Sequence, residues 1–92
     1  MTVEVKFFAS FREIVGRKKI TMEAGDVAGV LEEIREEYSE LGSEIFLDED
    51  DSELEDYVII MVNARKIEML EGTETNLEEG DTVAIFPPVA GG

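Results

Sequence analysis

The residue pattern between positions 26 and 42 constrains the fold more than any other part of the sequence. Apolar residues recur there at intervals of three and four, which is the spacing of one face of an α-helix. They are Val27, Val30, Leu31, Ile34, Tyr38 and Leu41. Asp26 is suited to cap this helix and Gly42 to end it. A helix with a single apolar stripe must bury that stripe against another layer, which the rest of the chain must supply.

The segments on either side of this helix have the patterns of β-strands. Strands are predicted at residues 2–8, 17–23, 57–63, 66–70 and 82–86. The third is a continuous β-rich apolar run, which predicts a strand buried on both faces. A short helix is predicted at residues 9–16, with Ser10 and Glu13 as a capping box and Gly16 at its end. The expected fold is α+β, with a mixed sheet of four to five strands and one long helix packed across one face.

The chemistry open to the chain is limited by what its composition lacks. Its 92 residues form one domain and contain neither cysteine nor histidine. This removes thiolate chemistry, the commonest general base and the commonest zinc ligand. No carboxyl group lies in a setting apolar enough to raise its pKa for catalysis. We therefore expect the chain not to be an enzyme on its own, and to bind no cofactor or metal.

The charge of the chain is strongly acidic. Its 23 acidic and eight basic residues give a formal net charge of −15. Such a surface repels the phosphates of nucleic acids and anionic lipids and attracts basic protein surfaces. Steering toward a basic partner and simple solubility in a salty cytosol both remain open as explanations. The N-terminus lacks the pattern of a signal peptide, and the longest apolar run, Val58–Val62, cannot span a bilayer. We expect a cytoplasmic protein that binds neither nucleic acid nor membrane.

One segment, Asp48–Asp56, is especially acidic. The spacing of its first acidic residues is similar to that of a calcium-binding loop. Glu53 stands where such a loop needs glycine, however, and Ile59 where it needs a bidentate glutamate. We interpret the segment as a solvated loop, and the sequence assigns it no role.

The last six residues are predicted to form an extended, flexible tail, residues 87–92, on a domain of residues 1–86. Two consecutive prolines, Pro87 and Pro88, cannot donate hydrogen bonds to a sheet and hold the chain near polyproline II. The side chains then shrink toward Gly91 and Gly92, and glycines can pass through a channel too narrow for a Cβ atom. This taper suits a C-terminal carboxylate that enters an enzyme's ATP site and is activated there by adenylation.

Several segments resemble the MoaD-like proteins, which include the small subunit of molybdopterin synthase and the small archaeal modifier proteins. The similar segments are Val5–Ala9, Arg12-Glu13 with Gly16, Val62-Asn63, and Gly80–Gly92. The most specific part is the ending FPPVAGG, in which Ala90 stands where Ser or Thr is common in the family. The resemblance covers essentially the whole chain and implies a ubiquitin-like β-grasp fold.

The resemblance also implies a chemistry for Gly92. A ubiquitin-activating-like (E1-like) adenylating enzyme would use ATP to activate the Gly92 carboxylate. A C-terminal thiocarboxylate would then supply sulfur to a pterin precursor in the molybdopterin synthase large subunit, or Gly92 would form an isopeptide bond to a target-protein lysine. The implied partner-binding residues are Phe86, Pro87, Pro88, Val89, Ala90 and Gly91. For Phe86, strand alternation favours an interface role over core packing, because Val83 and Ile85 lie on the opposite face.

Three functions remain open from the sequence. The chain could be a sulfur carrier for molybdenum cofactor biosynthesis, a protein modifier of the ubiquitin type, or both, because both use the same fold and the same Gly92. The third possibility is a non-covalent interaction module whose tail is chemically inert. Removal of Gly91 and Gly92 separates this third possibility from the first two.

Overall fold

The computed structural model of the chain describes residues 1–45 and 58–87. The strands are β1 (Thr2–Phe7), β2 (Lys19–Glu23), β3 (Ile59–Val62), β4 (Arg65–Lys66) and β5 (Thr82–Phe86). The helices are α1 (Ala9–Val15), α2 (Val27–Glu37) and α3 (Ser39–Ile45), and two short 3-10 helices, Ile67–Met69 and Gly72–Glu74, lie between β4 and β5. Within these residues no helix has the length and apolar character needed to cross a bilayer.

The five strands form one mixed sheet in the order β2-β1-β5-β3-β4. β5 pairs in parallel with β1 and antiparallel with β3, while β2 pairs antiparallel with β1. The last strand of the chain therefore lies in the centre of the sheet and is bonded along both edges. This arrangement fixes the point at which the C-terminal tail leaves the domain.

The hydrophobic core lies between one face of this sheet and the helices. Its buried residues on the strands are Val3, Val5, Phe7, Ile60, Val62, Val83 and Ile85, and those on α2 and α3 include Val27, Val30, Leu31, Ile34, Leu41 and Ile45. Each such side chain contributes about 1.5–3 kcal/mol by leaving water. The predicted two-layer α+β arrangement with a four- to five-stranded sheet is confirmed.

The predicted N-terminal cap is confirmed for α2 and is wrong for α1. At α2 the backbone N–H of Gly29 donates to Asp26 Oδ1 at 2.7 Å, which confirms the Asp26 cap. At α1 the predicted capping box is wrong, because the chain turns directly from β1 into the helix and Phe8 occupies the N-cap without a side-chain cap bond. Gly16 ends α1 with a left-handed φ of 82°, as expected for a glycine at the C-terminal end of a helix.

The prediction of one long helix across the sheet is wrong in one respect. The helical region is divided into α2 and α3 at Tyr38, whose φ of −130° and ψ of 69° are not helical. The apolar spacing continues across this break, and for that reason the sequence does not show it. Gly42 does not end the helix but lies buried inside α3, where α3 packs closely against α2.

Replacement of Gly42 by Ala is expected to lower the free energy of unfolding by about 1–2 kcal/mol. A Cβ added there would lie 3.1 Å from the Cα of Arg35, a backbone atom that cannot move aside freely. Without this clash, Gly to Ala inside a helix would stabilise by about 0.5–1 kcal/mol. Gly25→Ala is the matched control, because no atom lies within 4 Å of the position that its new methyl group would take. Urea unfolding in which Gly42→Ala equals or exceeds the wild type would contradict the close helix contact.

The segment from β3 to β4 differs from its prediction in two ways. β3 is not buried on both faces, since Ile59 and Met61 are only half-buried while Ile60 and Val62 are buried. The predicted strand at residues 66–70 is a two-residue β4 that continues as a 3-10 helix. The turn itself is confirmed, with Asn63 and Ala64 at φ values of 49° and 70°, the paired left-handed residues of a tight hairpin.

Candidate functional site

The candidate site lies where the central strand ends and the tail begins. β5 ends at Phe86, and Pro87, the next residue, is buried. Of the residues predicted to bind a partner or to react, only Phe86 and Pro87 are described by the structure. Pro88, Val89, Ala90, Gly91 and Gly92 lie outside the described residues, as does Asp48–Asp56. The roles of these residues therefore stay predictions.

An aromatic stack stands at the end of β5. The rings of Phe86 and Phe8 lie nearly parallel, with centroids 4.3 Å apart and an interplanar angle of 10°. The guanidinium carbon of Arg12 lies 5.7 Å from the centroid of the Phe8 ring, within the range of a cation–π contact. Arg12 Nε also donates to the carbonyl oxygen of Phe7 at 3.2 Å, which holds the side chain in place. The half-buried Phe86 is thus stacked on the Phe8 ring, and the Phe8 ring in turn is close to a positive charge.

Phe8 reaches this position because of the turn that follows β1. Its backbone is extended, and Ala9 then takes a left-handed φ of 52°, which leads the chain directly into α1. The Phe8 ring consequently stays on the sheet face opposite the buried Phe7. The sequence predicted Phe8 only as the last residue of the first strand and gave it no role. The available signal was the alternation itself, because a residue next to a buried one in a strand faces the other way.

Apolar side chains extend this stack across the sheet face opposite the helices, which no other described element covers. The strand register places Ile59 opposite Phe86 and Met61 opposite Ala84, and all four are half-buried. Paired residues in adjacent strands share a face, so these side chains lie together. We call the five residues Phe8, Ile59, Met61, Ala84 and Phe86 the open-face patch. A contiguous, partly exposed apolar surface of this kind is typical of a protein-binding site.

A row of lysines crosses the same face. The register aligns five residues across the strands, namely Lys19, Lys6, Ala84, Met61 and Lys66, in that order. The three lysines are exposed, and Lys19 lies 3.6 Å from a carboxylate oxygen of Glu4. With Arg12 they place half of the eight basic residues around the open-face patch. Among the described residues these four basic groups outnumber Glu4 and Glu23, the two carboxylates that the register places on the same face of β1 and β2. The surroundings of the patch therefore carry a net positive charge although the whole chain is strongly negative, and they favour a partner with an acidic rim.

Most of the acidic residues of the described regions lie elsewhere. Glu32, Glu36 and Glu37 are exposed on α2, and Glu40 and Glu44 are exposed on α3, on the other side of the domain. Steering toward a basic partner, one explanation for the −15 charge, would thus involve the helix side and not the open-face patch.

Asp81 holds the start of β5 in place. Its carboxylate accepts a hydrogen bond from Asn63 Nδ2 at 3.0 Å and one from the backbone N–H of Glu78 at 2.8 Å. Asn63 Oδ1 in turn accepts from the backbone N–H of Thr82 at 3.0 Å. The hydrogen bond from Asn63 is the main reason that the pKa of Asp81 is lowered, and the Glu78 amide adds to it. Two of the segments that carried the family resemblance, Val62-Asn63 and Gly80-Asp81, are therefore in direct contact.

No arrangement for metal binding is found in the described parts of the chain. Residues 1–45 and 58–87 contain no group of three or more acidic side chains placed to hold an ion. The chemistry that the described geometry supports is recognition of a partner at the open-face patch, next to the root of the tail.

Comparison with known proteins shows the family to which the chain belongs. The model of the ThiS family matches residues 5–92. The chain is 40% identical to small archaeal modifier protein 3 of Haloferax volcanii, with both proteins covered completely. It is 30% identical to the sulfur carrier protein CysO of Mycobacterium tuberculosis, again with both covered completely.

The fold is shared with a solved structure over almost the same length. The solution structure of small archaeal modifier protein 1 from Methanosarcina acetivorans superposes with a TM-score of 0.90 at 35% identity, covering 99% of this chain and 96% of that one. The implied β-grasp fold is thereby confirmed. The chain belongs to the ThiS family, with the ubiquitin-like β-grasp fold that it shares with small protein modifiers and sulfur carriers.

Proposed function

We propose that this protein is a ubiquitin-like carrier that works through its Gly92 carboxylate, which an adenylating enzyme of the ubiquitin-activating type activates with ATP. The protein itself performs no catalysis in this proposal, and it acts in the cytoplasm. The open-face patch binds the activating enzyme and then the enzyme or protein that receives the activated group.

The observation that carries the proposal is the position of the open-face patch at the root of the tail. β5 is bonded on both sides, so Phe86 and Pro87 form a rigid base. Five residues follow Pro87, and when fully extended they reach at most about 17 Å. A partner bound at the patch would therefore have Gly92 within a fixed, short radius. A reactive terminus is positioned accurately when the domain binds rigidly and the flexible segment that carries the terminus is short.

The chemistry has two steps. The Gly92 carboxylate attacks the α-phosphorus of ATP, pyrophosphate leaves, and an acyl-adenylate forms. Hydrosulfide supplied by the partner enzyme then attacks the acyl carbon, AMP leaves, and a thiocarboxylate remains. Alternatively, a lysine amine attacks the same carbon, AMP leaves, the nitrogen loses a proton, and an isopeptide bond forms. Glycine suits the second step because it carries no side chain that would obstruct attack at its carbonyl carbon. Because the chain has no cysteine and no histidine, the groups that assist these steps must come from the partner enzymes.

Similarity supports both uses of the activated terminus. The relationship to a small archaeal modifier protein supports isopeptide formation, and the relationship to CysO supports sulfur transfer. We propose that the same Gly92 serves either recipient, including the large subunit of molybdopterin synthase, and that the partner decides which product forms. The alternative is a non-covalent interaction module with an inert tail.

The intact mass of the protein purified from its native host tests the proposal directly. A sulfur carrier is expected to show a species heavier by the exchange of one oxygen for one sulfur at the C-terminus. Treatment with an alkylating reagent specific for thiocarboxylates distinguishes it from an oxidised methionine. A host preparation that contains only the free carboxylate, with no conjugates, would support the inert module instead.

A modifier is expected to leave a defined remnant on target lysines. Lys66 is the last basic residue, so trypsin would leave residues 67–92 attached, a branch too long for routine detection. A protease that cuts after Asp and Glu would leave residues 82–92, because Asp81 is the last acidic residue. Lysines that carry this shorter branch would identify conjugation.

A further inference from the structure

A second potential binding surface lies at the edge of the sheet that is formed by β2. In the described sheet β2 pairs only with β1, and its other side is an edge. The opposite edge strand, β4, has two residues, whereas β2 has five. A longer edge presents more backbone groups to a partner strand.

The backbone groups that face outward can be identified from the register. The N–H of Phe7 donates to the carbonyl of Lys18, and the N–H of Ala24 donates to the carbonyl of Met1. Hydrogen-bonded pairs alternate along an antiparallel ladder, so Ile20 and Met22 bond to β1. The N–H and C=O groups of Lys19, Thr21 and Glu23 consequently point away from the sheet. In the described sheet, these three alternate residues of β2 therefore have backbone groups that can pair with another strand.

A groove lies beside this edge, between β2 and α2. Its volume is about 390 Å³, and its apolar lining includes Ile20, Met22 and Tyr38. All three are only partly buried although they pack against the core, and the Tyr38 ring meets the Phe7 ring edge to face at 6.5 Å. The α2 wall of the groove adds the carboxylates of Glu33 and Glu37. Arg17 also lines the groove, so its charged lining consists of two carboxylates and one guanidinium. The groove therefore combines an apolar floor with a rim whose net charge is negative.

The edge of β2 has few features that would keep a partner strand from the groove. β2 contains no proline, and its two charged ends are engaged elsewhere. Lys19 is paired with Glu4, and Glu23 accepts from the Thr2 hydroxyl and lies 3.8 Å from the N-terminal amine. No charged side chain of β2 points into the groove.

We propose that this groove binds an extended segment of a partner protein, which adds to the sheet as a strand next to β2. The segment carries apolar side chains at alternate positions, over Ile20 and Met22, and a lysine or arginine that faces Glu33 and Glu37. The net negative charge of the rim argues against a second copy of this chain, with its net charge of −15.

This surface is separate from the open-face patch. The side chains of Ile20 and Met22 are on the helix side of the sheet, whereas the open-face patch is on the other side. Both surfaces could be occupied at once, so a partner held at β2 would not prevent activation at Gly92. The inference does not depend on the proposed chemistry of the tail.

An NMR titration with a synthetic peptide tests this inference. The probe is acetyl-Thr-Val-Thr-Val-Thr-Lys-Thr-amide, in which valines and lysine share one face. We expect shifts centred on the amides of residues 19–23 and slower hydrogen exchange at Thr21. The matched peptide with Glu in place of Lys should bind at least about tenfold more weakly, because it meets Glu33 and Glu37.

The variant Thr21→Pro separates strand addition from general attraction to an acidic protein. It removes the outward N–H but no hydrogen bond to β1, so the fold should persist while peptide binding is lost. If the variant does not fold, a second peptide is used to test strand addition instead. It has the same sequence with N-methylated threonines, and it should not bind the wild-type protein. Three results would overturn the proposal: no shifts at about 1 mM peptide, equal binding of the N-methylated peptide or of the folded proline variant, or concentration-dependent shifts at β2 in the protein alone.

Discussion

Removal of Gly91 and Gly92 is expected to abolish adenylation by the cognate activating enzyme while leaving the melting temperature unchanged. The loss should be complete, because the reacting carboxylate would then belong to Ala90, which is shorter in reach and carries a Cβ atom. The fold should be unaffected, because the sequence predicts that residues 87–92 form an extended tail outside the domain of residues 1–86. Pyrophosphate release in the presence of ATP, measured beside thermal unfolding, reports both properties.

Ala90→Ser is the matched control for this truncation. It changes the same tail by one small residue and leaves both glycines in place, so its adenylation should equal that of the wild type. A truncated chain that is still adenylated would refute the role of Gly92, whatever the result for the control. A truncated chain with a lowered melting temperature would show instead that the tail contributes to the fold.

Phe86→Ala is expected to weaken binding to the activating enzyme by about 30-fold or more, which corresponds to about 2 kcal/mol for loss of a central aromatic anchor. Its effect on the free energy of unfolding should be smaller than the about 3–5 kcal/mol typical of a buried phenylalanine. The reason is that Phe86 is half-buried and its principal described ring contact is the stack on Phe8. Calorimetric binding and urea unfolding of the same variant separate the two effects.

Ile85→Ala is the matched control for Phe86→Ala. Ile85 is the preceding residue of β5, but it is fully buried on the helix side of the sheet. It should therefore show the opposite pattern, with a loss of about 2–5 kcal/mol in stability and near-normal binding under conditions in which it remains folded. If Phe86→Ala lost as much stability as Ile85→Ala and bound normally, Phe86 would be a core residue and the open-face patch would not be the docking surface.

The charge around the open-face patch can be tested with a second pair of variants. Lys66→Glu and Arg65→Glu change the net charge equally and alter adjacent residues of β4. Lys66 is opposite Met61 on the open face, whereas Arg65 is opposite the buried Val62. We expect Lys66→Glu to slow association and to reduce its salt dependence more than Arg65→Glu does. Equal effects would indicate that only the total charge matters.

Local sequence patterns were sufficient to predict most of the elements. The alternation of residues 82–86 gave the bounds of β5, and the helical spacing with Asp26 gave the start of α2. These features depend on residues close together in the chain, where period and capping chemistry are strong signals. The places where prediction failed share a different cause. The break at Tyr38, the burial of Gly42 within α3 and the shortness of β4 all depend on contacts between elements.

The candidate site divides in the same way. The sequence contains the terminal glycines and the double proline, and its alternation predicted the exposure of Phe86. Composition and alternation are local properties, so these features needed no tertiary structure. The pairing of Phe86 with Phe8, 78 positions earlier, could not, and neither could the row of Lys19, Lys6 and Lys66. Strand order and register bring these residues together, and a shift of one residue in register would move each side chain to the other face. The sequence by itself therefore determined which chemistry the tail can perform, and the tertiary structure decided which side chains stand beside it, because only the pairing of strands distant in sequence sets their neighbours.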